Sequence, residues 1–155
     1  MRSLNQIRRL RHWLLAIRRR TLMLRQGVKI DPSAQVSLSA HFVSGARETI
    51  AIGAQTLVAF KVMILSRDSE GAVKPVSIGA QCFIGGGAVI LPGVSIGDRC
   101  IVGAGAVVAD NMPSDCIVAG NPAKVVRECR GILAYGRLPE APINNIRFRD
   151  TKRSS

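Results

Sequence analysis

From Val28 onward the apolar residues of this chain keep a beat of six. Ile78, Ile84, Ile90, Ile96, Val102 and Val108 follow one another without a miss, and the same phase runs upstream at Ile52, Val58 and Ile64 and at Ile30, Val36 and Phe42. Two residues before each of the first six sits a small or medium side chain (Val76, Cys82, Ala88, Val94, Cys100, Ala106), and glycine follows four of them directly, at Gly79, Gly85, Gly97 and Gly103. A period of six fits neither the 3.6-residue repeat of a helix nor the two-residue alternation of a single strand. It predicts short strands separated by turns, three to a triangular coil, with one aliphatic residue per strand pointing inward and stacking on the residue eighteen later. Coils stacked this way pair their strands in parallel and satisfy the backbone along the whole prism. The glycine after each aliphatic residue is expected to serve a turn with φ > 0. The predicted fold is therefore all-β, a parallel β-helix over residues 28–127, flanked by an N-terminal segment (1–27) and a C-terminal helix and tail (128–155).

Two places break the beat. Phe42 to Ile52 is a step of ten and Ile64 to Ile78 a step of fourteen, and counting in threes puts both excursions on one side of the prism. Loops carried by a rigid repeat are where sites are commonly built, so this side is the expected location of a cleft.

Charge separates the ends from the middle. The net charge is +12, but residues 1–25 carry eight arginines and no acid, residues 26–122 carry six basic and seven acidic side chains, and residues 123–155 carry eight and three. The N-terminal segment reads as a helix, with Leu4, Ile7, Leu10, Leu14 and Ile17 in one apolar stripe, Arg8, Arg9, Arg11, Arg18, Arg19 and Arg20 over much of the rest, and Gly27 as a stop. That stripe can cap the open end of the prism or pack within an oligomer. It can equally rest on an anionic membrane, with Trp13 at the interface. One tryptophan and no recognisable binding motif argue against nucleic acid as the partner.

The Arg-rich start has no clean apolar stretch or small-residue cleavage site, so a secretory signal is not expected and a cytoplasmic location, peripheral at the inner membrane face if the helix binds lipid, is. The uncharged run from Val76 to Gly97 holds six glycines, a proline and the beat of six, which excludes it as a membrane span. Four cysteines without CxxC spacing read as structural thiols, two of them on apolar beats. Beyond Arg127 the beat is lost. A short helix over Cys129–Tyr135 is expected, then a Pro-rich, basic tail.

The segment "IGAQCFIGGGAVILPGVSIGDRCIVGAGAVVADNMPSDCIVAGNPAKVVR", residues 78–127, resembles the hexapeptide-repeat acyltransferases, in particular the galactoside, maltose and polysaccharide O-acetyltransferases. The resemblance covers about residues 28–130. It implies a left-handed coil, a homotrimer and acetyl-CoA lying between neighbouring prisms, with the coenzyme contacts falling on Gly86, Ala104, Ala109, Asp110, Lys124 and Arg127. Small residues suit a slot for a thin arm, and Lys124 and Arg127 suit phosphates. Asp110 departs from the pattern, since relatives often carry lysine there and a carboxylate repels phosphate. The acceptor implied is a hydroxyl of a sugar or surface-polysaccharide precursor. An N-acetyltransferase acting on an amino sugar, or a catalytically silent scaffold, are the alternatives.

Acetyl transfer from a thioester to a hydroxyl needs a base, an oxyanion donor and a slot for the pantetheine arm. Relatives place a histidine base at the start of the second excursion, where this chain reads Ser66, Arg67, Asp68, Ser69, Glu70. The chain has two histidines, His12 in the basic segment and His41 just before the first excursion, which is expected to put it at the edge of the loop-bearing side. The candidate catalytic residues are therefore His41 and, if burial raises its pKa, Asp68. His41 can also be read as a corner residue bonding a neighbouring turn. With so few histidines no metal site is expected.

Overall fold

The computed structural model of the protein describes residues 13, 14, 17, 21 and 27–138. Trp13, Leu14, Ile17 and Thr21 are helical, and the Thr21 hydroxyl donates to the Ile17 carbonyl at 3.0 Å. The rest of the predicted N-terminal helix, and the tail beyond residue 138, lie outside the described residues.

Four coils follow, each made of three short strands. They are β1 (Lys29–Ile30), β2 (Gln35–Val36) and β3 (His41–Val43); β4 (Ile50–Ile52), β5 (Leu57–Val58) and β6 (Met63–Leu65); β7 (Val76–Ile78), β8 (Phe83–Ile84) and β9 (Val89–Ile90); and β10 (Ser95–Ile96), β11 (Ile101–Val102) and β12 (Val107–Val108). A partial fifth coil begins with a parallel bridge from Met112 to Ile96 and continues as β13 (Cys116–Gly120), which a hairpin returns as β14 (Ala123–Glu128). The strands form three faces, ordered β1-β4-β7-β10, β2-β5-β8-β11-β13-β14 and β3-β6-β9-β12. Among these strands all pairings between coils are parallel, and the terminal hairpin alone is antiparallel. This three-faced parallel β-solenoid is the arrangement of the left-handed β-helix.

The inward residues are those on the beat. Ile78 pairs with Ile96, Ile84 with Val102 and Ile90 with Val108, each eighteen residues apart, and all six are at most 3 % exposed. Fully burying a Val or Ile is worth roughly 1.5–3 kcal/mol, so these columns are the main stabilising feature of the prism. Two-residue strands would be untenable alone. Here each is held above and below by the neighbouring coils.

The glycines after the aliphatic residues have a different reason from the one expected. Gly79, Gly85, Gly97 and Gly103 are absent from the positive-φ residues, which instead lie two positions further on, at Gln81 (57°), Gly87 (71°), Arg99 (53°) and Gly105 (68°). What excludes a side chain is the coil below. A Cβ on Gly85 would stand 2.6 Å from the Ala104 nitrogen, and one on Gly53 2.6 Å from the Gly79 carbonyl carbon. The requirement is close approach of backbone to backbone.

The cysteines do more than fill space. At the corner between the first and second faces Thr56, Cys82, Cys100 and Cys116 stack in a column, all at 0 % exposure. Thr56 donates to the Gly79 carbonyl at 2.7 Å, Cys82 to Gly97 at 3.2 Å and Cys100 to Pro113 at 2.8 Å. Each side chain thus satisfies a turn carbonyl of the next coil that valine would leave orphaned. The sulfurs of Cys100 and Cys116 are 3.4 Å apart and both are free thiols. Burial, with the neighbouring Cys100, pushes the Cys116 thiol up to about 12.

In place of the helix expected over Cys129–Tyr135 there is one three-residue 3-10 turn, Ala134–Gly136, closed by an antiparallel bridge between Leu133 and Arg137. It lies across the second face: the Tyr135 N–H donates to the Gln55 carbonyl (2.8 Å), the Tyr135 hydroxyl to Ser33 (3.3 Å), and Gly136 backs directly onto Phe83. This strap covers part of an outward row, Leu57, Phe83 and Ile101, that is too apolar to leave bare.

Candidate active site

The third face is bordered by two unlike corners. At one corner it meets the first face, and there both excursions leave, residues 44–49 after β3 and residues 66–75 after β6, as their spacing predicted. They are tied together by hydroxyls. Ser66, at 0 % exposure, accepts the Gly45 N–H at 2.9 Å and shares a 2.7 Å hydrogen bond with the Thr49 hydroxyl. Thr49 in turn donates to the Ala46 carbonyl (2.8 Å) and meets the Ser44 hydroxyl at 3.0 Å. The side chain of Val73 packs over Gly45, where a Cβ would stand 2.6 Å from its Cγ2. The two loops therefore form one body.

Asp68 is the organiser of the second loop. One carboxylate oxygen accepts the Ala72 N–H (2.8 Å) and the Glu70 N–H (3.1 Å), while the other pairs with Lys74 at 3.0 Å. The Lys74 partner, outweighing partial desolvation, holds its carboxyl below the usual carboxylate range. A general base needs the opposite shift, so the geometry makes Asp68 a loop cap rather than a proton acceptor at neutral pH.

At the opposite corner the third face meets the second, and here the wall is low. The turns are Gly85-Gly86-Gly87 in the third coil and Gly103-Ala104-Gly105 in the fourth, linked by a hydrogen bond from the Gly105 N–H to the Gly86 carbonyl (3.0 Å). Nothing lies within 4 Å of where a Cβ would stand on Gly87 or Gly105, so the surface there is flat and open. Gly86 differs: a Cβ would meet the ring of Phe60 at 2.7 Å. Phe60, 62 % exposed, comes from the turn one coil up and forms one end of the flat stretch. Nothing in the spacing pointed to it, because it sits off the beat in a turn position.

His41 opens β3 at this same corner, not at the loop-bearing one. It is exposed on the outer side of the third face, beside Met63, with Phe42 turned inward. The outward row continues through Val89 and Val107. Val89 follows the Gly85-Gly86-Gly87 turn, so His41 stands two coil rises, about 10 Å, from the level of the flat corner.

The remaining predicted contacts sit around the C-terminal end of the prism. Ala109 and Asp110 leave β12 toward the loop corner and are exposed, as are Lys124 and Arg127 on β14. Asp110 and Lys124 form an ion pair of 3.0 Å. The carboxylate therefore does not stand alone in the phosphate-binding set: within the chain it holds the Lys124 ammonium. The hairpin turn that places Lys124 contains a cis Asn121–Pro122 bond. The predicted set thus divides, with His41, Gly86 and Ala104 along one edge and Asp68, Ala109 and Asp110 along the other, while Lys124 on β14 reaches Asp110 at the C-terminal end of the prism. Among the described residues no group of three or more His, Cys, Asp and Glu gathers as a metal centre would require.

Residues 75–109 match the family described as the hexapeptide repeat of succinyl-transferase. A Dictyostelium discoideum protein whose name marks it as a candidate acetyltransferase is 67 % identical over 55 residues, which are 36 % of this chain and 29 % of that protein. The chain thus spans less than a third of that relative. A hexapeptide-repeat acetyltransferase of Vibrio cholerae O1 biovar eltor, solved with acetyl coenzyme A, superposes with a TM-score of 0.54 at 27 % identity, over 74 % of this chain and 78 % of that one. A galactoside acetyltransferase in complex with coenzyme A superposes with a TM-score of 0.51 at 26 % identity, over 66 % of this chain and 62 % of that one. Residues 75–109 thus carry the hexapeptide repeat of that family, and the fold is similar to that of the hexapeptide-repeat acetyltransferases.

Proposed function

We propose that this protein transfers the acetyl group of acetyl-CoA to a hydroxyl of a sugar or surface-polysaccharide precursor, as a homotrimer. The observation that carries the reading is the flat corner of Gly87, Ala104 and Gly105, open to a thin ligand, walled at Gly86 by Phe60 and sharing an edge with His41. Residues of that edge would hold the pantetheine arm, while Lys124 and Arg127 would meet the phosphates; the coenzyme supplies the activated acetyl group. His41 is then the group that takes the acceptor proton, since Asp68 is committed to Lys74. The sugar acceptor is supported by the likeness to the galactoside enzyme. Support for the trimer is the apolar outward row of the third face. Met63 and Val43 are well exposed there, and among the described residues nothing covers them. Free buried thiols fit a reducing cytoplasm.

Calorimetric titration with acetyl-CoA, with CoA alongside, tests the reading. Saturable binding near one site per chain supports it. A second reading, a silent scaffold, draws on the absence of histidine from the loop and the lowered pKa of Asp68. No binding at high micromolar ligand would select it.

A further inference from the structure

We infer that the N-terminal segment is a membrane-docking surface whose partner is an anionic lipid bilayer. Trp13, Leu14 and Ile17 are helical and are 61, 41 and 43 % exposed, so this part of the apolar stripe is not spent on capping the prism. At 3.6 residues per turn Trp13, Leu14, Ile17 and Thr21 fall within about a third of the helix circumference and make one face. The Thr21 hydroxyl is turned back onto the Ile17 carbonyl, so it adds little polarity to that face. An exposed face of Trp, Leu and Ile needs a partner, and the charge of the segment says which.

Eight arginines and no acid lie within residues 1–25, against a prism whose residues 26–122 are nearly neutral. A second copy of the same face would bring two such clusters together and repel. A nucleic acid would use the charge and leave the apolar face bare. An anionic bilayer uses both at once, taking Trp at the headgroup boundary and Arg at the lipid phosphates. No helix among the described residues is long and apolar enough to cross a membrane, and eight arginines within residues 1–25 suit attachment at the surface. It would confine the enzyme to acceptors presented at a membrane surface, but the inference itself does not depend on the acetyltransferase reading.

Trp13 is the chain's one tryptophan, so its fluorescence reports directly on this face. Full-length protein is titrated with vesicles of phosphatidylcholine alone and with vesicles containing a third phosphatidylglycerol, at low and high salt. The expected result is a blue shift of Trp13 emission and co-sedimentation with the anionic vesicles, both weakened by salt and at least tenfold weaker on phosphatidylcholine. The double variant Leu14→Glu, Ile17→Glu keeps the probe and should lose the blue shift. Its solenoid is checked by circular dichroism, and its acetyl-CoA titration is a separate readout. No binding to anionic vesicles overturns the inference, as does undiminished binding by the double variant, which would reduce the attraction to bare charge. Emission already blue without lipid, and reddening on dilution, would assign the face to a second copy instead.

Discussion

Removing the Ser66 hydroxyl tests the claim that the two excursions are one body. In Ser66→Ala the Gly45 N–H, now bonded at 2.9 Å, loses its acceptor, and the Thr49 hydroxyl loses one of its three partners. Ser66 is fully buried, so water does not replace it without opening the corner. A buried donor left unmet costs about 1–3 kcal/mol, while the volume lost is a single oxygen. The expected destabilisation is about 2 kcal/mol, which for a chain of this size lowers Tm by roughly 4–8 °C. Thr49→Val should cost a similar amount. The double variant should cost about 1 kcal/mol less than the sum, because the second change removes a group the first had already orphaned. Denaturant unfolding of all four proteins gives the cycle, and amide exchange at Gly45 shows whether the loss is local. A Ser66→Ala cost below about 0.5 kcal/mol, or strict additivity, would refute the coupling of the loops.

Four further outcomes are expected. His41→Ala should lower turnover about a hundredfold or more with its acetyl-CoA binding retained, as loss of a general base does; an unchanged rate removes His41 from the mechanism. Asp110→Asn should free Lys124 and tighten CoA binding in calorimetry, with the gain shrinking at high salt and thermal stability unchanged, because the pair is largely exposed. Gly136→Ala meets both a φ of 68° and the backbone of Phe83, so it should release the strap, read as loss of exchange protection at Tyr135, whose N–H bonds Gln55. The order of the 66–74 loop should be pH-dependent through Asp68. Its folded pKa lies below the ordinary 3.8, so the carboxylate's contribution is fully present above that value and is lost as pH falls through the depressed one, measurable as a carboxyl titration by NMR.

The solenoid was legible because its inward positions on the beat hold only Ile, Val and one Phe, and each coil repeats the constraint. The two excursions were legible for the same reason, as interruptions of a count. What escaped was whatever depends on contact between coils. The glycines were assigned to turn angles when they answer to the backbone below, and Phe60 covering Gly86 cannot be seen from either residue alone. His41 was placed at the loop-bearing corner because it precedes the loop, yet a three-residue strand is long enough to put it at the other edge of the face. The return strand β14 escaped because "VAGNPAKVV" abandons the beat, and a reversal of direction leaves no periodic trace. Asp68 appeared as a free carboxylate because its partner, Lys74, is defined only by the closure of the loop.

The parallel stacking of the coils has a consequence for how such a site can change. His41 belongs to the first coil and the flat corner to the third and fourth, with one complete coil between them. Distance along the prism therefore comes in whole steps of about 4.8 Å, set by strand spacing and indifferent to side chains. Inserting one plain eighteen-residue coil between them would lengthen the gap by one step while leaving every existing turn and inward contact in kind. The prism is a graduated ruler, and reach between its ends is a quantity that gene duplication can alter in integers.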